Sequence, residues 1–246
     1  MDAQSMTARL AACGIDADDA LSEKLLRYHA LLMDWNTRMD LTAVSDEDEM
    51  LDRHYADSLS VLAVDGMLPT RGSLIDVGTG AGFPGLPLAI ACPELSVTLL
   101  DSQQKRLNFL AKVIEELALT NVTLVHARAE DGARKPELRE AFDAAVARAV
   151  APLPVLAEYL LPYVKVGGKA ICWKGPAVMD EMTRGARACR VLGGTLGEPV
   201  SVTFPQRDWQ HVLLPIAKHA ATGKLFPRKA GTPGKLPLGG EESTQG

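Results

Sequence analysis

Several large protein classes require features that this chain lacks. Its four cysteines, Cys13, Cys92, Cys172 and Cys189, show no CxxC spacing and sit beside no histidine cluster. That scatter argues against a disulfide scaffold or a bound metal and leaves reduced, buried thiols as the expectation. No apolar run reaches the roughly 18 residues of a membrane-spanning helix, so no membrane partner is expected. The first residues, Met1 to Arg9, contain no basic stretch leading into an apolar core, which reads against a secretory signal and for a cytoplasmic protein. A surplus of positive charge is also missing. The formal net charge is −5, which excludes a surface that is basic all over. The distribution is uneven, however: Lys218 to Lys235 holds five lysines and arginines and no acid, whereas Asp16–Asp19 and Asp46–Asp52 are acidic.

What is present is a regular alternation. Residues 1–70 read as a helical extension packing on a core, with Leu21, Leu25, Leu26, Leu32 and Met33 near a 3.6-residue period. A second helix is expected from Asp48 to Leu62, with Met50, Leu51, Tyr55, Leu59 and Leu62 on one side. After Pro69 and Gly72, strands over 74–77, 97–100, 122–125, 142–147 and 168–173 alternate with helices over 84–91, 103–117, 153–163 and 178–191. Two last strands lie near 200–204 and 211–217. This order implies βαβ units and an α/β, Rossmann-like domain over 71–218, with a mostly parallel seven-stranded sheet and one antiparallel strand at an edge. The segment 219–246 is basic and rich in Gly and Pro, the composition of a flexible tail.

The densest signal is Leu74-Ile75-Asp76-Val77-Gly78-Thr79-Gly80-Ala81-Gly82-Phe83-Pro84-Gly85. A short buried strand runs into Gly78, Gly80 and Gly82, which let the backbone turn sharply and approach a ligand. Pro84 then suits the first turn of a helix. A literal GxGxxG exists at Gly80, Gly82 and Gly85, but the strand ends at Val77, so the register is wrong for a dinucleotide site. Asp76 inside the strand end fits hydrogen bonding to the glycine loop or to a cationic ligand group, and would repel a pyrophosphate. Asp101 ends the second strand, 23 residues beyond Gly78, where an acid accepts the hydroxyls of an adenosine ribose or caps the next helix. Ala129 and Glu130, after the third strand, are placed to meet an adenine ring and its exocyclic amine.

Asp76-Val77-Gly78-Thr79-Gly80 with Asp101 resembles the S-adenosylmethionine site of the class I methyltransferases. The likeness narrows further. WNTRMDLTAV (35–44), RHYADS (53–58), IDVGTGAGFPGLPLAI (75–90), LLDSQQKRLNFL (99–110), RA (148–149), WKG (173–175) and PRKAGTPGKLPL (227–238) occur in this order. Together they resemble the glucose-inhibited division protein B family, the guanine-N7 methyltransferases of small-subunit ribosomal RNA. The resemblance covers about residues 20–238. It implies the class I methyltransferase fold, S-adenosylmethionine as cofactor, and contacts to it from Gly78, Phe83, Ala129, Glu130 and Arg148. It also implies 16S ribosomal RNA as partner, with the guanine at position 527 as target. The general logic of the fold adds Asp76, Gly80, Gly82 and Asp101 to the cofactor set.

The acceptor is narrowed by absences. A pyrimidine carbon needs a cysteine beside a proline after the fourth strand, and an adenine amine is commonly met by an Asn/Asp-Pro-Pro-aromatic motif; neither occurs. Guanine N7, implied by the family, presents a lone pair and requires no general base. Arg53, His54, Asp57 and Ser58 share neighbouring helical faces at i,i+4 spacing. By themselves they suit an Arg53–Asp57 ion pair; with the resemblance they are candidates to close over the target nucleotide, together with Arg148 and Lys174. Because N7 lies in a groove that side chains do not read in A-form RNA, the base must be in a loop or flipped out. Lys105, Arg106, Lys224, Arg228 and Lys229 are candidates to follow phosphates, the last three because a flexible tail offers them no packing partner. A monomer acting on a small-subunit particle or assembly intermediate is expected. Methylation of a protein or small molecule, and a non-catalytic RNA-binding assembly factor, stay open as alternatives.

Overall fold

A computed structural model of the chain describes residues 2–44, 46–205 and 207–240. The first helices, α1 (Ala3–Ala12) and α2 (Asp19–Asn36), are capped by Asp2 and Asp18, whose side chains accept the Ser5 and Leu21 amides. Side-chain oxygens there satisfy amides that have no partner within the helix. Met6 and Leu10 of α1, and Leu25, Tyr28 and Leu32 of α2, are fully buried. They join Leu86, Phe109 and Leu213 of the later region in one apolar cluster. The N-terminal helices are therefore one layer of a shared core.

The helix expected over 48–62 is a composite. A turn of α-helix, α3 (Glu47–Met50), passes into a π-helical segment (Leu51–Ala56), a turn α4 (Asp57–Leu59) and a 3-10 turn (Ser60–Ala63). The Asp57 amide donates to the Asp52 carbonyl, five residues back. That wider turn takes Arg53 and Asp57 out of i,i+4 stacking, and Arg53 pairs with Glu49 at 2.5 Å. Leu62 is 37% exposed, outside the apolar side to which its spacing assigned it.

Beyond this point β1 (Gly72–Val77), α5 (Gly85–Ala91), β2 (Leu95–Asp101), α6 (Gln104–Glu116), β3 (Val122–His126), α7 (Ala129–Gly132), β4 (Phe142–Arg148), α8 (Leu153–Leu160), β5 (Val164–Lys174) and α9 (Met182–Val191) alternate. The chain then adds β6 (Gly194–Leu196), β7 (Val200–Thr203), β8 (Gln210–Lys218) and a last turn, α10 (Thr232–Lys235). The sheet order is β3-β2-β1-β4-β5-β8-β6, with β7 also paired to β8. Strands β1 to β5 are parallel and β8 is antiparallel to its neighbours. Among the described residues the sheet thus has eight strands, because three residues after Gly193 form β6 where a loop was expected. The antiparallel strand β8 lies inside the sheet, between β5 and the pair β6 and β7. Pro84 takes the N-cap position of α5, one residue before the helix begins. Strand order reverses between β1 and β4, and ligands of such sheets bind outside the carboxyl ends of the strands at that reversal.

The expected flexible tail is folded over residues 219–240; its end, 241–246, lies outside the described residues. Arg228 forms a two-pronged pair with Glu158 of α8, with Nε–Oε1 at 3.0 Å and Nη2–Oε2 at 2.6 Å. The backbone amide of Arg228 donates to the same carboxylate at 2.7 Å. Glu158 is fully buried, so the charge of Arg228 serves packing. Removing one member of a buried pair strands the other and costs about 3–5 kcal/mol. Arg228→Ala is therefore expected to lower unfolding stability by about that amount, measured by urea denaturation. A loss under about 1 kcal/mol, the worth of an exposed pair, would show that this contact does not hold the segment.

Candidate functional site

Two cavities open side by side at the carboxyl ends of the central strands. The first has a volume of about 520 Å³ and is lined by Gly78 and Gly80, Phe83, Asp101 and Arg106, Ala129 and Glu130, and Arg148. The second, about 390 Å³, is lined by Arg53, Asp57, Trp173, Lys174 and His211. His54, Arg148 and Ala149 belong to the walls of both.

The glycine loop is held by two carboxylates in different ways. Asp101 Oδ2 accepts the Gly80 amide at 2.9 Å, while its Oδ1 accepts the Gln103 amide at 2.8 Å. One side chain thus ties the loop to the start of α6 and still faces the cavity. Asp76 is completely buried; its Oδ2 accepts the Thr79 hydroxyl at 2.7 Å and the Gly85 amide at 2.8 Å. Burial pushes its pKa up to about 6, against those two hydrogen bonds. Asp76 does not line the cavity; of its two expected roles the bond to the glycine loop is the one made, through Oδ2, while its buried Oδ1 has no partner among the described residues.

The glycines divide similarly. A Cβ on Gly80 (φ +61°) would meet nothing within 4 Å, so the backbone there borders open cavity. A Cβ on Gly82 (φ +105°) would stand 2.6 Å from the Tyr28 hydroxyl and 2.9 Å from Leu110. Gly82 faces the α2 layer rather than the ligand space, because Tyr28 reaches in to donate to the Ala81 carbonyl. Its assignment as a cofactor contact is likewise corrected.

Arg148, at the end of β4, is the junction of the site. Its Nη1 donates to Asp57 Oδ2 at 2.7 Å and to the Arg53 carbonyl at 2.7 Å, and its guanidinium lies 5.3 Å from the centre of the Phe83 ring. Asp57 is fully buried; its other oxygen meets His211 Nδ1 at 2.7 Å, and its carbonyl accepts the Trp173 indole N–H at 2.9 Å. His54 stacks on Phe83 with centroids 4.8 Å apart, and its Nε2 lies 2.7 Å from the Thr42 hydroxyl. Burial, helped by the Arg148 charge, lowers its pKa to about 4, so it is neutral near pH 7. Lys174 is paired with Glu181 at 3.2 Å and donates to the Ala151 carbonyl at 3.2 Å.

Three further expectations change. Ser58 is buried, donates to the His54 carbonyl within its own helix and lines neither cavity. Arg228 is occupied by Glu158, so of the three tail cations expected to follow phosphates Lys224 and Lys229 stand exposed, as does Lys105; Arg106 leans over Asp101 at 3.5 Å. Asp57 pairs with Arg148 and His211, not with Arg53. His211, Thr42, Tyr159 and Gly231 were not singled out from sequence. Thr42 and Gly231 fall inside quoted motifs, whereas nothing local to His211 marks it.

The order of the sheet, the loop after β1 and the acid closing β2 define the class I S-adenosylmethionine-dependent methyltransferase fold. TYW2 of M. jannaschii, solved in complex with AdoMet, shares that fold with a TM-score of 0.53 at 16% identity, over 72% of this chain and 79% of that one. TYW2 of P. horikoshii, solved in complex with MeSAdo, matches with a TM-score of 0.53 at 12% identity, over 72% of this chain and 66% of the other. The chain belongs to the family described as rRNA small subunit methyltransferase G, whose model matches residues 21–211. A protein of that description from Alkaliphilus metalliredigens is 48% identical over 225 residues, 92% of this chain and 94% of the relative. One from Leuconostoc citreum is 44% identical over 239 residues, 97% of this chain and all of the relative.

Two outcomes are expected of this geometry. Asparagine tolerates positive φ, so Gly80→Asn should fold while its side chain fills the first cavity. Calorimetric titration with S-adenosylhomocysteine should then show at least about a tenfold weaker dissociation constant, about 1.4 kcal/mol; equal affinity would place the ligand elsewhere. His54 has a folded pKa below its unfolded value, so the unfolded chain binds the extra proton between about pH 6.5 and 4. His54 thus favours folding above that window and loses this contribution as pH falls through it. His54→Gln should gain stability relative to the parent across the same interval, read by urea denaturation at several pH values; a constant difference would contradict the neutral, buried imidazole.

Proposed function

We propose that the chain transfers a methyl group from S-adenosylmethionine to N7 of a guanine in small-subunit ribosomal RNA. The observation that carries this is the pair of cavities sharing Arg148, His54 and Ala149. The first has the open glycine turn and two carboxylates, Asp101 and Glu130, suited to ribose hydroxyls and an adenine amine. The second adjoins it where the acceptor base must lie. The family and its rRNA-directed relatives supply the class of substrate.

When bound, the sulfonium supplies an electrophilic methyl group, which passes to the nitrogen lone pair as the carbon–sulfur bond electrons return to sulfur. The residues around it then have to orient and shield, because N7 carries no proton to be removed. Their state agrees with that task. The Asp57 carboxylate is committed to Arg148 and His211, His54 is neutral and bonded to Thr42, and Lys174 is held by Glu181. Alignment of this kind accounts for roughly 7–11 kcal/mol of a barrier. Gly78, Gly80, Phe83, Asp101, Ala129, Glu130 and Arg148 are assigned to the cofactor, and Arg53, His54, Asp57, Lys174 and His211 to the wall around the base. Exposed Lys105, Lys224 and Lys229, with Arg106, are assigned to phosphates. No helix among the described residues is long and apolar enough to cross a membrane. We place the reaction in the cytoplasm, by a monomer, on a small-subunit particle or its assembly intermediate.

Incubation of the protein with methyl-labelled S-adenosylmethionine and small subunits lacking the modification, followed by mapping of the labelled nucleotide, tests this directly. Label at N7 of a single guanine of the 16S RNA is expected. Label on ribosomal protein or on an exocyclic amine would overturn the assignment, as would no transfer by a preparation that binds the cofactor.

A further inference from the structure

The C-terminal segment crosses the region that follows β3 in an ordered way. Thr222 receives a bond from Arg139 Nη2 on its carbonyl at 2.7 Å, and its amide donates to Glu140 at 2.7 Å. The Phe226 carbonyl accepts from Arg139 Nη1 at 2.8 Å, and the Pro227 carbonyl from Arg134 Nη2 at 2.5 Å. Finally, the Gly231 amide donates to Glu130 Oε1 at 2.8 Å. Positions 222, 226, 227 and 231 thus meet 140, 139, 134 and 130 in reverse order, as a strap laid antiparallel over one stretch of chain.

The cavity end of this strap differs from the rest. Glu130 is 4% exposed and lines the first cavity, and Gly231 lines it too. Gly231 has φ +82°, the left-handed conformation in which a side chain is strained, and caps α10. The turn it makes aims an amide at one oxygen of a buried carboxylate, which fixes how that carboxylate is presented. Upstream, the Ala129 carbonyl is fixed by the Tyr163 hydroxyl at 2.6 Å. Ala129 and Glu130 are therefore held from both sides, by the sheet region through Tyr163 and by the C-terminal strap through Gly231.

We propose that residues 222–231 form a positioning strap for the cofactor site, with Gly231 setting the Glu130 carboxylate, so that strap docking and binding of the adenosine moiety reinforce one another. This rests on the assignment of the first cavity to S-adenosylmethionine. It gives the Gly- and Pro-rich segment a task in ligand binding besides any contact of its lysines with RNA. Coupling of this kind is reciprocal: whatever factor the docked strap adds to cofactor affinity, bound cofactor returns to the stability of docking.

The test uses the full chain and S-adenosylhomocysteine. Arg134→Ala with Arg139→Ala removes strap anchors that line neither cavity. The folded double variant, verified by circular dichroism and a cooperative thermal transition, should bind the probe about tenfold more weakly by calorimetry, within the 5–150-fold range of ordinary coupling. In the unaltered protein, saturation with the probe should slow hydrogen exchange of amides in 222–235 by a comparable factor. A purely structural strap would lower thermal stability of the variant while leaving probe affinity and parental exchange unchanged, and either of those two results would overturn the coupling. Failure of the unaltered protein to bind the probe at all would overturn the cavity assignment and the coupling with it.

Discussion

A buried carboxylate, that of Asp57, sets the arrangement of the whole upper edge of this molecule. Withdrawing such a charge from water costs several kcal/mol unless it is paired and hydrogen-bonded. Here the compensation comes from Arg148 at the end of β4 and from His211 in β8, while the Asp57 carbonyl is taken by Trp173 of β5. Three strands of the sheet are thereby bound to one helical turn that precedes them all in sequence. The N-terminal layer cannot shift over the sheet without stranding that charge. Its position places His54 against Phe83 and closes one side of both cavities.

The same economy appears in the two aspartates of the glycine loop. Asp76, next to last in β1, and Asp101, last in β2, lie on neighbouring parallel strands, with Asp76 opposite Leu99 and Asp101 opposite His126 in register. Asp76 is sealed beneath the loop and spends an oxygen on Gly85 and Thr79. Asp101 stands at the rim, bonded to Gly80 yet facing the cavity. Both side chains are buried, and both hold the turn, but only Asp101 lines the cavity and is available to a ligand there.

The sequence was most legible where an interaction is local. The glycine loop, the parallel βαβ order and the acid ending β2 follow from periodicity and from the backbone freedom of glycine, and each has its counterpart in the fold. Partner choice was less legible. Arg53 and Asp57 have i,i+4 spacing, but a π-helical turn cannot be read from spacing, and it hands Asp57 to residues 91 and 154 positions away. His211 carries no local mark for the same reason: its meaning lies in a carboxylate far along the chain. The C-terminal segment misled in the opposite direction. Its Gly and Pro content cannot form a core of its own, and the reading as a flexible tail assumed that it must. Arg134, Arg139, Glu130 and Glu158 satisfy its backbone from elsewhere, which composition does not record. Ser58 and Gly82 were drawn in by neighbouring motif residues, although one faces its own helix and the other faces Tyr28.

The commitments of Arg148 also bear on how an N7 acceptor would be treated. An arginine that grips guanine in the usual two-pronged way occupies O6 and N7 together, and a donor on N7 would block the attack that methylation requires. Here Nη1 is already divided between Asp57 and the Arg53 carbonyl, and the guanidinium is laid over Phe83. A guanidinium fixed in that way cannot swing freely to clasp the base edge. Its charge nevertheless remains at the shared wall of both cavities, where it helps keep His54 neutral. The ion pair that stabilises the fold thus restrains the one group best able to inhibit the proposed reaction. The acceptor proposed here, a lone pair on nitrogen, asks of such a site orientation alone.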